Sequence, residues 1–227
     1  MARRGQHDDE EVEYGTPGAY PRRTERLLLR PLTQADVDVV VAYRNDPDVA
    51  RYQDWDLPVT RERVEAQTHR DAGWTEIEPG VPRQIGIEHD GELVGDLYVG
   101  LDEHGGVAEI GFTLRAKYQG QGFAWEAASA VVAELVEHHG CHRIIGQLSP
   151  ENTRSARLLE KLGMHVESRA PKSYWCRGAW DDNLTYAMSD DDWRAAQAGR
   201  TDGPIHGRTD NVTDGDDAAQ APGHCAS

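Results

Sequence analysis

The sequence has few cysteines, few basic residues for its acidic content and no long apolar run. Its three cysteines, Cys141, Cys176 and Cys225, are odd in number and include no Cys-x-x-Cys pair, which favours reduced thiols over a disulfide framework. No run could span a bilayer and no signal peptide is recognisable, so we expect a cytoplasmic protein with no membrane partner. Lys and Arg total 24 against 40 Asp and Glu, and the net charge of −16 argues against nucleic acid as a partner.

Both ends of the chain are poor in large apolar side chains. Residues 1–22 and 199–227 are rich in Gly, Pro, Asp and Thr, and they cannot bury enough apolar surface to offset the entropy lost on ordering. We therefore predict two disordered tails around a single domain of residues 23–198. The tails together hold five Arg and ten acidic residues, so a charge of −11 remains on the domain. Such a surface attracts cations, although an acidic surface also serves solubility alone.

Apolar periodicity and turn residues predict strands and helices in the order β-α-α-β-β-β-α-β-α-β-β. Thr33 and Asp36 form a capping-box pattern, and the Ala-rich segment 125–139, followed by Gly140, has helical spacing. This order predicts an α/β or α+β domain with a mixed sheet and helices on its faces. Strands are predicted at 25–30, 84–88, 92–99, 106–114, 143–148, 165–174 and 184–188, and helices after Thr33, at 60–72, 125–139 and 152–161, and from Ser189.

A glycine-rich segment, Gln119-Gly-Gln-Gly-Phe-Ala124, leads into the longest predicted helix. Its glycines permit a tight turn and a close approach to a ligand, and the N-terminus of the helix favours a phosphate or pyrophosphate. The segment is not a dinucleotide fingerprint, because Trp125 stands where the third glycine belongs, and it lacks the Gly-Lys-Ser/Thr of a Walker loop. A plain turn between a strand and a helix remains the alternative interpretation.

Two motifs in the chain resemble the GNAT acetyltransferase superfamily. Gln-Gly-x-Gly-x-Ala follows a strand, and about thirty residues later comes Asn152-x-x-Ser155-x-x-Leu-Leu-Glu-Lys-Leu-Gly-Met164. The opening Thr24-Glu-Arg-Leu-Leu-Leu-Arg-Pro31 and the strand Glu109-Ile-Gly-Phe-Thr-Leu114 are similar to the branch around the ribosomal-protein N-terminal acetyltransferases. The resemblance covers residues 24–193, and the two motifs in this order are far more specific than either alone.

The resemblance implies a fold and a cosubstrate. The fold is a seven-stranded mixed sheet, splayed between its fourth and fifth strands, with helices on both faces and acetyl-CoA in the gap; no metal is implied. By position in the motifs, backbone groups of Phe112 and Leu114 pair with the pantetheine arm, Asn152 bonds to it, and Ser155 lies near the thioester sulfur. The pyrophosphate is held by Gln119, Gly120, Gln121, Gly122, Phe123 and Ala124.

Acyl transfer to an amine needs a group that takes a proton from the ammonium and one that protonates the leaving thiolate. The resemblance implies that Glu109 is the general base, for which it needs a raised pKa or a water relay; pairing across the sheet is its alternative role. Where many relatives have a Tyr as the acid this chain has Leu159, so Ser155 is the expected acid, unless its hydroxyl bonds within its own helix. Tyr118 and Tyr174 are the fallback acids.

Aromatic residues predict the acceptor site. Tyr52 and Trp55 lie between the first two helices, and Tyr174 and Trp175 lie in the last hairpin. The resemblance implies that these two regions wall the acceptor pocket, together with Glu109. Aromatic rings with carboxylates nearby suit a cation, and core packing is the alternative role of each aromatic.

The function that the resemblance implies is transfer of an acetyl group from acetyl-CoA to a primary amine by direct attack in a ternary complex. The acceptor is a cationic small molecule, aminoglycoside- or polyamine-like, or a protein N-terminus. The competing hypothesis is a non-catalytic acyl-CoA sensor or scaffold with the same fold. The family is often dimeric, which leaves a homodimer open.

Two other groups of reactive side chains carry weaker signals. His138, His139, Cys141 and His142 crowd one helix end, but the helix dipole favours His there, and adjacent residues point to different faces. We therefore expect no metal. Cys176 is not expected to be a nucleophile, because no His and acid accompany it in a recognised order.

Overall fold

The computed structural model describes residues 18–201, with side chains up to residue 199. The strands are β1 (Arg22–Arg23), β2 (Leu28–Pro31), β3 (Arg83–His89), β4 (Glu92–Leu101), β5 (Val107–Leu114), β6 (Arg143–Leu148), β7 (His165–Cys176) and β8 (Ala179–Ser189). The helices are α1 (Val37–Arg44), α2 (Pro47–Ala50), α3 (Arg61–Arg70), α4 (Phe123–Glu137), α5 (Thr153–Leu162) and α6 (Asp190–Thr201). Two short 3-10 turns, Gln34–Asp36 and Ala116–Tyr118, precede α1 and α4.

The strands form one sheet in the order β1-β2-β3-β4-β5-β6-β8-β7. Neighbouring strands are antiparallel except β5 and β6, which are parallel. The sheet has one strand more than predicted, because Arg22 and Arg23 pair with Leu29 and Leu28 at its edge. The predicted opening between the fourth and fifth strands therefore lies between β5 and β6.

Helices cover both faces of the sheet. On one face α4 and α5 pack in the larger apolar core, which includes Ala127, Val131 and Leu135 of α4, Leu159 and Leu162 of α5, and Ile85 and Leu97 of the strands. On the other face α1 and α3 form a smaller core that contains Leu32, Val37, Val40, Val64 and Leu93. Side chains alternate between the two faces of a strand. The central strands therefore contribute some side chains to the core and others to the candidate active site described below.

The folded part of the chain begins before residue 23, where the prediction placed it. Tyr20 is buried against Trp74, and its hydroxyl donates to the carboxylate of Glu134 at 2.8 Å. Arg22 forms an ion pair with the same carboxylate at 2.5 Å. Local composition gave no sign of these contacts, because the partners lie far along the chain. Apart from residues 18–22 and the end of α6, the predicted tails lie outside the described residues.

Two local predictions differ from the structure near the site. Asn45 and Pro47 end α1 as predicted, but Pro47 also begins the short helix α2, because the side chain of Asp46 accepts from the N–H of Asp48. Strands β7 and β8 are longer than predicted and form one hairpin, with Arg177 and the next glycine at positive φ in its turn. This length brings the hairpin tip to the loop that follows α2.

Candidate active site

The two parallel strands at the centre of the sheet separate along their length. β5 pairs with β6 only through Val107, Ala108 and Glu109, opposite Arg143, Ile144 and Ile145. Beyond these pairs, among the strands that the structure describes, β5 is bound only to β4, and β6 only to β8. The backbone groups of residues 110–114 that face the gap therefore have no strand partner and are available to an extended ligand. The carbonyl of Leu114 accepts from the side chain of Gln119 at 3.1 Å.

The glycine-rich loop connects β5 to α4 with a backbone shape that glycine adopts readily. Gly120 and Gly122 have φ angles of 77° and 83°, and Gly122 is the N-cap of α4. The N–H groups of its first turn, from Phe123 onward, have no intrahelical partner, and no side chain of residues 18–199 caps them. A phosphate placed there would meet these donors and the positive end of the helix dipole.

Arg26 holds the loop in this shape. Its guanidinium donates to the carbonyl of Gln121 at 3.1 Å, forms an ion pair with Glu126 at 2.7 Å and lies 4.8 Å from the ring centroid of Phe123. A Cβ at Gly122 would stand 3.3 Å from the same guanidinium, a second reason for glycine at this position. Sequence analysis missed Arg26, because it precedes the loop by 95 residues and no local pattern marks it.

Helix α5 begins on the other side of the gap, at Asn152. The Oδ1 of Asn152 caps the helix by accepting from the N–H of Ser155 at 3.2 Å, which leaves the amide NH₂ for another partner. Between residues 18 and 201 the Ser155 hydroxyl has no hydrogen-bond partner, so the structure does not show it bonded within its own helix. Both side chains line the gap.

The gap opens into a cleft of about 950 Å³. Seven of the residues predicted to bind acetyl-CoA line it: Phe112, Leu114, Gln119, Gly120, Ala124, Asn152 and Ser155. The other three, Gln121, Gly122 and Phe123, supply the loop backbone and the start of α4. The Phe123 side chain itself is buried in the core beneath Arg26.

Three arginines that sequence analysis did not single out also line this cleft. They are Arg51, Arg154 and Arg157. Arg154 donates to the side chain of Gln119 at 3.0 Å, which joins α5 to the glycine-rich loop. The spacing of Arg154 and Arg157 places them on the same face of α5, a signal that was readable in the sequence. Guanidinium groups at this position suit the phosphates of a nucleotide.

A second cavity, of about 580 Å³, lies on the face of the sheet that carries Glu109. Tyr98, Glu109 and Gln147 line it from three adjacent strands, and the loop after α2 and the β7–β8 hairpin supply its sides. The residues that line both cavities are Arg51, Tyr52, Gln53, Phe112 and Thr113. The two cavities therefore meet, and a ligand in one can touch a ligand in the other.

Glu109 lies where the pairing of β5 with β6 stops. Its carboxylate accepts from Nε2 of Gln147 at 3.3 Å, and no cation of the described chain pairs with it. Burial raises the pKa of Glu109; the hydrogen bond from Gln147 opposes this shift, and the negative charge of Asp54 adds to it. A carboxylate with a raised pKa and no ion pair fits the role of a general base for an ammonium better than a purely structural one.

Three contacts join the tip of the β7–β8 hairpin to the loop after α2, and we call them the clasp. They are Tyr174 Oη to the carboxylate of Asp54 (2.9 Å), Arg177 to the carbonyl of Arg51 (2.8 Å) and Cys176 Sγ to the carbonyl of Gln53 (3.8 Å). Each contact joins residues at least 120 positions apart. The clasp closes one side of the smaller cavity and holds Asp54 where its charge acts on Glu109.

Four of the residues predicted to bind the acceptor line the smaller cavity: Tyr52, Trp55, Glu109 and Tyr174. Trp175 does not; it pairs with Trp180 on the other face of the hairpin, with 57% of its surface exposed. Tyr174 and Trp175 are consecutive in a strand, so only one of them can face the cavity. Trp55 is fixed there by a hydrogen bond from its indole N–H to the carbonyl of Arg44, 3.0 Å long.

Of the three candidate acids, only Ser155 lines the larger cleft. The hydroxyl of Tyr118 donates to Glu92, and Tyr118 lines neither cavity. Tyr174 donates to Asp54 on the acceptor side. The structure therefore favours Ser155 over both tyrosines as the proton donor to a leaving thiolate.

The His and Cys residues after α4 do not converge on one point. His139 Nε2 lies 3.5 Å from the carboxylate of Glu134, while the Cys141 thiol donates to the carbonyls of Gly106 and Arg143, each at 3.2 Å. Within residues 18–201 no three His, Cys, Asp or Glu side chains are grouped as metal ligands. None of the helices in that part of the chain combines the length and apolar character needed to cross a membrane.

The model of the Acetyltransferase (GNAT) domain family matches residues 26–165, which contain the glycine-rich loop and the motif that begins at Asn152. The chain belongs to the GNAT acetyltransferase family. It is 29% identical over 175 residues to the uncharacterized N-acetyltransferase YnaD of Bacillus subtilis (strain 168), across 75% of this GNAT chain and 97% of YnaD. It is also 32% identical over 84 residues to the [ribosomal protein uS5]-alanine N-acetyltransferase of Escherichia coli (strain K12), across 37% and 43% of the two chains.

Solved structures show the same fold. A GNAT-family acetyltransferase from Bacillus anthracis has a TM-score of 0.65 at 30% identity and covers 74% of this chain and 98% of its own. The spermidine N-acetyltransferase of Vibrio cholerae, solved with CoA and spermine, has a TM-score of 0.65 at 17% identity over 75% and 99% of the chains and is similar in fold alone. These findings confirm the predicted fold and the enzyme class, an acetyl-CoA-dependent N-acetyltransferase.

Proposed function

We propose that this GNAT enzyme acetylates the primary amine of a cationic acceptor, either a small molecule or a protein N-terminus, bound in the smaller cavity. The observation that carries the proposal is the meeting of the two cavities at Phe112 and Thr113, with Glu109 on one side and Ser155 on the other. Two substrates can therefore be held in contact. Direct attack in a ternary complex then needs no acyl-enzyme.

The larger cleft fits acetyl-CoA, which supplies the acetyl group as an activated thioester. The free N–H groups at the start of α4 suit the pyrophosphate, and the arginines that line the cleft suit its phosphates. The unpaired backbone of residues 110–114 and the amide of Asn152 suit the amides of the pantetheine arm. Each part of the cosubstrate thus has a matching group in the cleft.

The acceptor amine is an ammonium near neutral pH and must lose a proton before it attacks. Glu109 takes this proton, directly or through a water molecule. The amine nitrogen then bonds to the thioester carbonyl carbon, the carbon–sulfur bond breaks, and the nitrogen loses its second proton to solvent, which leaves a neutral amide. Ser155 donates a proton to the departing thiolate and recovers one from solvent. The two residues act on opposite sides of the junction, which matches their places in the two cavities.

The carboxylates of the smaller cavity support a cationic acceptor. Arg44 and Asp96 neutralise each other through an ion pair of 3.0 Å. Arg51, Arg63 and Arg177 also line the cavity, but none of these arginines forms an ion pair with Glu109 or Asp54. Two carboxylates beside the aromatic side chains of the cavity suit an ammonium. The relative from Escherichia coli is named for the alanine of a ribosomal protein, so a peptide with N-terminal alanine is a candidate acceptor beside polyamines and aminoglycosides.

Calorimetric titration with acetyl-CoA, with ATP as the comparison ligand, tests the larger cleft. Gly120→Asp should lower the affinity for acetyl-CoA by about tenfold or more, because it places a carboxylate at the phosphate-binding loop. Gly91→Asp is the matched control: both glycines have φ of 77°, and a Cβ added at either would meet no atom within 4 Å, but Gly91 lies in the β3–β4 turn. Equal losses in the two variants, or ATP bound as tightly as acetyl-CoA, would contradict the assignment.

A thiol-release assay with spermidine, kanamycin and a peptide with N-terminal alanine tests the acceptor class. We expect release of CoA that depends on one of these amines. Binding of acetyl-CoA without amine-dependent release would argue against the proposed acceptors and favour a sensor or scaffold.

A further inference from the structure

Tyr98 lines the smaller cavity, where we propose that the acceptor binds, and its ring lies over Gly100. The two residues lie two positions apart on one face of β4, and the phenol ring extends along the strand over the glycine. A Cβ at position 100 would stand 2.7 Å from the hydroxyl oxygen of Tyr98 and 3.2 Å from its Cζ. A side chain at Gly100 would therefore displace the hydroxyl.

The register of the sheet puts this hydroxyl beside Glu109. Gly100 is the cross-strand partner of Glu109, and residues directly opposed in a sheet share a face, with Cβ atoms about 5 Å apart. The end of the Tyr98 side chain thus lies at the strand position next to the general base. Burial, the charge of Glu109 and then that of Asp54 raise the pKa of Tyr98, so the phenol is neutral at physiological pH.

Two other polar side chains of the cavity already have partners in the protein. Gln147 donates to Glu109, and Tyr174 donates to Asp54. The Tyr98 hydroxyl lines the same cavity without a hydrogen bond to any residue that the structure describes. It is therefore available to a ligand in the cavity.

We propose that the Tyr98 hydroxyl binds the acceptor amine beside Glu109, and that Gly100 is the residue that lets it do so. The phenol oxygen accepts one N–H of the amine while Glu109 removes another as a proton. A carboxylate in place of the phenol would raise the pKa of the bound ammonium and oppose its deprotonation. The neutral phenol orients the amine without that effect. This inference rests on the proposed acetyl transfer and names a further residue for it.

The test compares Tyr98→Phe with Tyr186→Phe, because the Tyr186 hydroxyl donates to Glu160 and Tyr186 lines neither cavity. The substrate is whichever of spermidine, kanamycin or the N-terminal alanine peptide the wild-type enzyme acetylates. Loss of a hydrogen bond to a charged group should lower kcat/KM for the amine by about ten- to a hundredfold in Tyr98→Phe. The affinity of Tyr98→Phe for acetyl-CoA and its melting temperature should match the wild type, and Tyr186→Phe should retain wild-type turnover.

A double-mutant cycle tests the part assigned to Gly100. Gly100→Ala should impair turnover of the amine in the presence of Tyr98, because the added methyl group displaces the hydroxyl. In Tyr98→Phe the same change should have a smaller effect, since the atom 2.7 Å away is gone and the nearest ring atom is at 3.2 Å.

Three results would overturn the inference. Wild-type kcat/KM in Tyr98→Phe would do so and leave the proposed function intact. A parallel loss of acetyl-CoA affinity or of melting temperature in Tyr98→Phe would show a structural role instead. Wild-type enzyme that binds acetyl-CoA but acetylates none of the three amines would remove both the inference and the proposed acceptor class.

Discussion

At the scale of single residues, two carboxylates and two phenols act on one another in the smaller cavity. Glu109 and Asp54 line the same cavity, and the charge of Asp54 makes Glu109 harder to ionise. The pKa values of Tyr98 and Tyr174 are raised by burial and by these same carboxylates, so both hydroxyls stay protonated. The cavity therefore offers carboxylates for the ammonium and neutral hydroxyls that orient the groups around it.

Asp54→Asn should move the acidic limb of the pH–rate profile to lower pH. Burial is the main cause of the raised pKa of Glu109, but the charge of Asp54 contributes, and its removal lowers that pKa toward its ordinary value. The base is then deprotonated at a lower pH. The measurement is kcat with both substrates saturating, from about pH 5 to pH 9.

The matched control for this prediction is Asp56→Asn. Asp56 is 92% exposed and forms a long contact of 3.7 Å with Arg63, and it lies outside both cavities. We expect the acidic limb of the pH–rate profile of Asp56→Asn to coincide with that of the wild type. If Asp54→Asn also leaves the limb in place, the group that titrates is not Glu109.

At the scale of elements, two helix N-termini lie on opposite sides of the gap that we propose as the cosubstrate site. The start of α4 has no side-chain cap and presents free N–H groups, whereas the start of α5 is capped by Asn152. The difference is local and readable in sequence: Gly122 precedes one helix and an Asn precedes the other. Asn152 caps its helix with one atom of the amide, and in the proposed complex it binds the ligand with the other.

Substitutions of Asn152 should separate these two roles. Asn152→Ser retains a capping oxygen but loses the NH₂ donor, so the free energy of unfolding should be preserved while acetyl-CoA affinity falls about two- to tenfold. Asn152→Ala should lose the same affinity and also about 1 kcal/mol of stability. Urea denaturation and calorimetric titration measure the two quantities. Unchanged affinity in Asn152→Ser would show that the amide nitrogen does not bind the ligand.

At the scale of the whole molecule, the N-terminal segment ties the edge of the sheet to α4. The carboxylate of Glu134 is fully buried and is bound by the hydroxyl of Tyr20 and the guanidinium of Arg22. Removal of both partners would leave the buried carboxylate with His139, at 3.5 Å, as its remaining neighbour, which is a strongly destabilising change. The segment is therefore part of the folded unit even though its composition resembles that of a tail.

A chain that begins at residue 23 should be less stable than one that begins at residue 18. The loss of the buried Tyr20 side chain alone should cost about 3–5 kcal/mol. The loss of the hydrogen bond from Tyr20 and of the ion pair with Arg22 at Glu134 adds to this cost. Denaturation of the two truncated chains measures the difference, and Tyr20→Ala in the full chain should reproduce most of it. Equal stabilities of the two truncated chains would contradict a structural role for residues 18–22.

The sequence by itself determined the features that depend on a few adjacent residues. The glycine-rich loop, the start of α5 and the strand that carries Glu109 were predictable because turn chemistry, capping and strand period act within a few residues. The resemblance to the GNAT family, carried by these same motifs, was enough for the fold and the enzyme class, and the family match confirms both.

Only the tertiary structure decided which distant residues complete the site. Arg26 reaches Gln121 across 95 residues, and Tyr174 reaches Asp54 across 120, and neither pair shares a local pattern. The place of Tyr98 beside Glu109 depends on the register of β4 against β5. A shift of one residue in register reverses the face on which every side chain of a strand lies, so such contacts follow from the pairing of whole strands and cannot be read from either strand alone.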